Sequence, residues 1–192
     1  MHKLDFTGDN RLKLLQCGAQ FFPALIDAIA AAHDEIYLET YIFAMDHTGE
    51  TIIAALQTAA QRGVTVRLII DWIGSGNRFA IQLQERLQEM DIDCRIFNPW
   101  FRRGLTRTHR KMIVIDHQIA FVGGINIIDD LHSDDGDPLQ LPFPRWDFSV
   151  AIEGKLVGRL HKEIEAQWLK IGKLKILARL QIARDLRQHL RL

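Results

Sequence analysis

Between residues 11 and 97, short apolar, β-branched runs alternate with longer stretches whose apolar residues recur every three or four positions. The short runs suit strands and the longer ones helices. Strands are expected at Arg11–Gln16, Glu35–Phe43, Val64–Asp71 and Asp93–Phe97, with helices at Ala19–His33, Thr48–Gln61 and Arg78–Met90. Phe22, Leu25, Ile26 and Ile29 carry the apolar spacing of the first helix. Pro23 lies near its start, where a missing N–H does no harm. Cys17-Gly18 breaks the first strand, Arg62-Gly63 stops the second helix, and Gly74-Ser75-Gly76 is a loop. This β-α-β-α-β order predicts an α/β fold, a layered sheet with helices on its faces.

Downstream, Met112–Asp116 is almost continuously apolar and suits a buried strand, and Ile119–Val122 is a second short run. His117-Gln118 between them suits a tight hairpin turn. His109 and Lys111 stand just before that hairpin, two residues apart, so on extended chain their side chains share one side. Gly123 and Gly124 are expected to turn the backbone sharply and let it approach a bound anion. Asn126 would then return towards the same mouth. A further strand is expected from Arg145-Trp146-Asp147 to Glu153, then a helix over Lys155–Leu169, and residues 1–10 are polar and read as loose.

At 192 residues the chain is long enough for one domain with a good core. Its formal net charge is zero, but unevenly spread: residues 1–154 hold 14 Lys/Arg against 21 Asp/Glu, and residues 155–192 hold 10 against 3. The C-terminal stretch Lys173–Leu192 reads as a basic helix. Lys173, Arg184, Arg187 and Arg191 share one arc, Ile182, Leu186 and Leu190 lie away from it, and Lys175 and Arg179 interrupt the apolar side. Such a helix lies on an anionic membrane, packs on a partner subunit, or is a solvated tail. No apolar run approaches the ~20 residues needed to span a bilayer. With no signal-peptide core at the start and two cysteines, Cys17 and Cys94, lacking metal-ligand spacing, a cytoplasmic protein with reduced thiols is expected.

The loop Asn98–Thr108 is basic and aromatic, with Trp100, Phe101, Arg102, Arg103 and Arg107. It is either a phosphate contact, which arginine suits, or a solvated loop. Asp129–Pro144 is a long acidic and proline-rich loop, in which Asp134-Asp135-Gly136-Asp137 lacks the spacing of a calcium loop.

His109, Lys111, Asp116, Gly123, Gly124 and Asn126 fill the pattern His-x-Lys-x4-Asp, six residues, Gly-Gly-x-Asn. This resembles the phospholipase D superfamily signature. Many members have Ser where Gly124 stands, and the Gly-Gly form resembles the bacterial cardiolipin synthases. Leu38-Glu39-Thr40-Tyr41-Ile42-Phe43, Asp46 with Gly49, Arg62-Gly63-Val64, and Asp71 with Gly74-Ser75 resemble the first half of such a synthase. The resemblance covers roughly residues 10–170, with 171–192 as the basic amphipathic C-terminal helix. It implies an α-β-α layered phospholipase D-like domain with a mixed central sheet.

A phosphodiester is anionic and resists attack, so its enzymes position a nucleophile and neutralise the phosphate oxygens. His109 is expected to attack phosphorus and form a phospho-histidine. Lys111 and Asn126 hold the non-bridging oxygens, so neither metal nor cofactor is required. The resemblance suggests Asp147 as the carboxylate fixing the His109 tautomer. Asp116 is expected to be structural, Glu39 to lie in the site wall, and Arg107, Gly123 and Gly124 to contact substrate. His2, His33, His47, His117, His132, His161 and His189 lack a Lys two residues on and read as incidental.

Synthases of this kind carry two signatures per chain, and this chain holds one. The second catalytic histidine is therefore expected from a homodimer partner or from a complementary second half. The expected reaction is phosphatidyl transfer on a phosphatidylglycerol-like phospholipid, by a peripheral protein on the inner face of the bacterial cell membrane. The alternatives are a dimeric phosphodiesterase acting on nucleic acid, which the acidic body disfavours, and a non-catalytic phospholipid-binding remnant.

Overall fold

The computed structural model describes residues 6–99, 106–131 and 141–189, with side chains to residue 172. Trp100, Phe101, Arg102 and Arg103 of the basic loop, the Asp134–Asp137 segment and the basic arc of the tail lie outside the residues so described. The elements run β1 (Asn10–Gln16), α1 (Cys17–Ala30), β2 (Glu35–Thr40), α2 (His47–Gln61), β3 (Thr65–Asp71), α3 (Asn77–Gln88) and β4 (Asp93–Phe97). They continue as β5 (Met112–Ile115), β6 (Ile119–Gly123), β7 (Phe148–Gly154) and α4 (Lys155–His189).

Among the described residues the strands form one sheet in the order β1-β7-β6-β5-β2-β3-β4. The β2, β3 and β4 pairs are parallel, as helix crossovers require. From β2 through β5, β6 and β7 to β1 every pair is antiparallel. The sheet is therefore mixed, and β5, which follows His109 and Lys111, is the seam between its two halves.

Strand alternation divides the core. Ile36, Leu38, Val66, Leu68, Ile70, Ile113, Ile115 and Phe121 pack under α1, α2 and α3. Tyr37, Ile69, Met112, Val114, Ala120 and Ile152 face the other way, against Val157, Ile164, Trp168 and Ile171 of α4. The result is the expected α-β-α layering.

Several boundaries differ from the sequence reading; α1 also ends at Ala30 rather than His33, and β7 starts at Phe148 rather than Arg145. Helix α1 begins directly at Cys17, where the Cys17 N–H donates to the Asp147 carbonyl at 2.8 Å and the Gly18 N–H to Asp130 Oδ2 at 2.6 Å. Strand β2 ends at Thr40; Phe43 leaves the sheet to bridge Ile127, and its N–H donates to Ser75 Oγ at 3.1 Å. Helix α4 runs without a break through Gly172, where an added Cβ would meet the Arg95 guanidinium at 2.6 Å. That guanidinium stacks over the Trp168 ring at 3.8 Å, which ties α4 to β4.

Asp116 closes the β5–β6 turn. Its carboxylate accepts the N–H groups of His33, Asp34 and Glu35 at 2.8, 2.9 and 2.8 Å, pinning the start of β2 to the hairpin. Burial pushes this carboxyl up, but those three donors, with His33 nearby, hold it below the usual carboxylate range. A depressed folded-state pKa adds stability above the unfolded value, and that stability is lost as pH falls through the folded value. Asp116→Asn is expected to cost about 1.5–3 kcal/mol at pH 7. In denaturant unfolding the gap to the wild type should narrow below about pH 4. An equal gap at pH 7 and pH 3 would overturn this role.

Candidate active site

His109 is exposed, on a segment that enters β5 from above the carboxyl ends of β2 and β3. Its neighbours on both sides are clamped by two buried carboxylates. Asp71 ends β3 and is 1% exposed; its Oδ2 accepts the Thr108 N–H at 2.7 Å. Its Oδ1 accepts the N–H groups of Ile73 and Gly74 at 2.9 and 3.0 Å. Glu39, opposite Met112 in the β2–β5 ladder, is 0% exposed. It accepts the Thr108 hydroxyl and the Arg110 guanidinium, with Nη2 at 2.7 Å and Nε at 3.3 Å. A buried carboxylate is costly unless paired and hydrogen-bonded, and these two are satisfied by the backbone and side chains that flank His109. Glu39 thus lies beneath the site rather than in its wall, because burial and these bonds occupy both its oxygens.

Lys111 is 9% exposed, and its Nζ lies 3.2 Å from His109 Nε2 and 3.4 Å from Nδ1. The ammonium lies about equally far from both ring nitrogens, so it places a positive charge against the imidazole rather than on one nitrogen's lone pair. Tyr41 floors the pair, its ring centroid 4.7 Å from that of His109 and 5.3 Å from Lys111 Nζ. Arg107 Nη1 donates to the Tyr41 hydroxyl at 3.3 Å. Asn126 comes to this end because the chain after β6 bridges Phe43; its Oδ1 accepts the Ile42 N–H at 3.1 Å. That bond fixes the carboxamide with its NH2 as the end left to donate.

The two glycines do something other than the sequence suggested. A Cβ on Gly123 would sit 2.3 Å from the Phe148 carbonyl oxygen, and one on Gly124 would sit 2.1 Å from Asp147 Oδ1. Neither has a left-handed φ. Their space is filled by the start of β7, so they admit Asp147 and Phe148 rather than giving a backbone approach to an anion. Asp147 Oδ1 accepts the Phe148 N–H at 2.6 Å, and its carboxylate lies against Gly124. Among the described contacts the His109 ring meets Lys111 and Tyr41, not Asp147. Asp116 is at the opposite end of β5, paired with the backbone at the start of β2.

Tyr41 and Asp71 were named only within the resembling segments, without a site role, and Thr108 and Arg110 were given none. The one available signal was position: Asp71 ends an apolar strand before Gly74-Ser75, and Thr108 and Arg110 flank His109.

Comparison with known proteins identifies the family and the fold. The family model described as "Cardiolipin synthase, PLD-like domain" matches residues 25–135. Cardiolipin synthase B of Salmonella typhi is 40% identical over 161 residues, covering 81% of this chain and 38% of the relative. Cardiolipin synthase 1 of Bacillus anthracis is 32% identical over 163 residues, covering 82% of this chain and 31% of the relative. Among solved structures, the phospholipase D family member Nuc from Salmonella typhimurium superposes with a TM-score of 0.63 at 20% identity, covering 83% of this chain and 95% of that one. The chain belongs to the phospholipase D-like domain family of the cardiolipin synthases. It spans less than two fifths of the length of the curated relatives it matches.

Gly123→Ala should drive a methyl into the Phe148 carbonyl and the Ser149 backbone and destabilise the chain by about 1–3 kcal/mol, the cost of overpacking. Thermal unfolding reads this directly, and an unchanged midpoint would show that β7 does not need that space.

Proposed function

We propose that this domain catalyses phosphatidyl transfer of the cardiolipin-synthase kind, through a phospho-histidine on His109. The observation that carries the reading is the Lys111 ammonium within 3.4 Å of both ring nitrogens of an exposed imidazole. The relatives' printed name, cardiolipin synthase, supports a phospholipid substrate, and we take it to be phosphatidylglycerol-like.

In the first half-reaction a His109 ring nitrogen attacks phosphorus, the P–N bond forms, and the P–O bond to the leaving alcohol breaks. The leaving oxygen takes its proton from a second histidine. In the second half-reaction that histidine accepts the proton of an incoming lipid hydroxyl, whose oxygen displaces His109. One diester is exchanged for another, with no redox change. Lys111 neutralises a non-bridging oxygen by charge and Asn126 donates to another. We assign Asp147 the task of orienting His109, because catalytic hydrogen bonds often tighten only when substrate binds.

The second histidine comes from a second copy or a complementary half. An exposed apolar strip supports such a partner. Leu12 and Leu14 on β1 are each 62% exposed, and Phe148 on β7 is 38% exposed. The register places them on one face, and Trp146, next to Asp147, is 76% exposed beside Phe148. The basic C-terminal residues support docking at the inner face of the cytoplasmic membrane as a peripheral protein. No helix among the described residues is long and apolar enough to cross a membrane.

The test is transfer of labelled phosphatidylglycerol in mixed micelles, with the chain alone and with the second half of a relative. His109→Ala should reduce turnover by at least ~10³-fold. Asp147→Asn should lower kcat by ~10²–10⁴-fold with little change in KM. Transfer by His109→Ala at the wild-type rate would overturn the mechanism, and cleavage of DNA with none of lipid would move the substrate class to nucleic acid. Excess chelator at 25 °C should leave the rate of the folded chain unchanged; a loss restored by a divalent metal, with far-UV circular dichroism showing the chain folded throughout, would contradict a site run by Lys111.

A further inference from the structure

Three side chains meet at the end of the sheet opposite His109. Glu35 opens β2, His117 sits in the β5–β6 turn, and His161 lies on α4. His161 is 7% exposed, yet its Nε2 lies 2.7 Å from Glu35 Oε1. His117 Nε2 lies 2.9 Å from the same oxygen. The two imidazoles stack with centroids 3.6 Å apart and planes 29° apart, so both present Nε2 to one point. One ligand atom from each of the three residues falls within 4.8 Å of the others.

The backbone holds this arrangement in an uncommon conformation. Asp116 and His117 both have left-handed φ, 51° and 54°. Asp116 is needed there for its three N–H donors, but glycine is the easiest residue for the next position. The chain carries an imidazole there and aims it at Glu35.

We propose that Glu35, His117 and His161 form a binding site for a divalent late transition metal such as zinc, which staples α4 to the start of β2 and the β5–β6 turn. Two imidazoles and one carboxylate are the donors zinc takes in three-ligand sites, with water as the fourth. Ligands of a tetrahedral zinc at 2.0–2.1 Å lie about 3.3–3.4 Å apart. The two nitrogen–oxygen pairs therefore need to open by roughly half an ångström, and the stacked rings, with centroids 3.6 Å apart, need to spread to about 5 Å so that both Nε2 lone pairs converge on one ion; exposed His117 has room to swing away from His161. Each imidazole binds as the neutral Nδ1–H tautomer. Arg67 Nη1 donates to Glu35 Oε2 at 3.0 Å and to the Tyr37 hydroxyl at 2.9 Å. It thus engages the far oxygen and leaves Oε1 for the metal, as supporting bonds to a ligating carboxylate do. Glu35 and Glu39 are four strand residues apart, about 13 Å, so the metal stays clear of the phosphodiester site.

The experiment is a calorimetric titration of the metal-stripped full chain with Zn²⁺, followed by thermal unfolding and amide exchange. A single saturable zinc per chain is expected, with a raised midpoint and slower exchange around His117 and His161 together. His117→Ala, at an exposed turn position that should not disturb folding, is expected to weaken binding at least tenfold, and His161→Gln likewise. His47→Ala, on the surface of α2, should bind as wild type. No saturable binding, or His117→Ala binding zinc with wild-type affinity, would overturn the site.

Discussion

The placement of His109 depends on two carboxylates that the fold has taken out of water. Glu39 and Asp71 end adjacent parallel strands, and each would be prohibitively costly there without partners. Their partners are the Thr108 N–H and hydroxyl and the Arg110 guanidinium, so the segment bearing the nucleophile is also what makes their burial tolerable. Folding of the strand ends and positioning of the imidazole are one event. Removing either carboxylate would release Thr108, not alter a substrate contact, and the distinction is a positioning role rather than a catalytic one.

Strand β2 carries this logic along its length. Glu35, Tyr37 and Glu39 alternate onto the α4 face, so one strand contributes a polar group at each end and an aromatic between. At one end Glu39 holds the nucleophile's segment, and at the other Glu35 gathers two histidines while Asp116 caps its N–H. Antiparallel β5 runs alongside and links the same two ends, from Lys111 to the Asp116 turn. The short signature of the sequence therefore spans the sheet: its His and Lys act at one edge, and its Asp builds the other.

The layering was legible in the sequence because strand and helix periods are local properties, and β1 to β4 fall where the apolar runs do. What escaped was set by distant partners. Phe43 looked like strand, but Ser75 and Ile127 draw it off the sheet. Helix α1 starts early because its first N–H groups donate to Asp130 and Asp147, over a hundred residues on. His109 and Lys111 were visible by spacing. Glu39 and Asp71 were present in the text but not in their roles, since a carboxylate in an apolar strand has no meaning until its partner, 69 or 37 residues away, is known. His117 and His161 read as incidental for the same reason: only the packing of α4 on the sheet brings them to Glu35. That Gly124 lies against the Asp147 carboxylate was not legible, because the two meet only when β7 packs beside β6.

The chemistry itself argues that this half-site is not sufficient. Diester exchange needs an unprotonated nucleophile and a protonated acid at the same moment, and one imidazole cannot be both. In the proposed reaction the imidazole that attacks phosphorus carries no proton on its attacking nitrogen, so the leaving oxygen needs a different proton source. In the proposed mechanism the acid comes from a second copy or a complementary half, across a surface close to Asp147. That is where Trp146 and Phe148 stand exposed, with Leu12 and Leu14 continuing the strip along the sheet edge. A chain spanning 38% of its Salmonella typhi relative, with one signature and an apolar edge beside its nucleophile, has the properties of one side of a two-sided site.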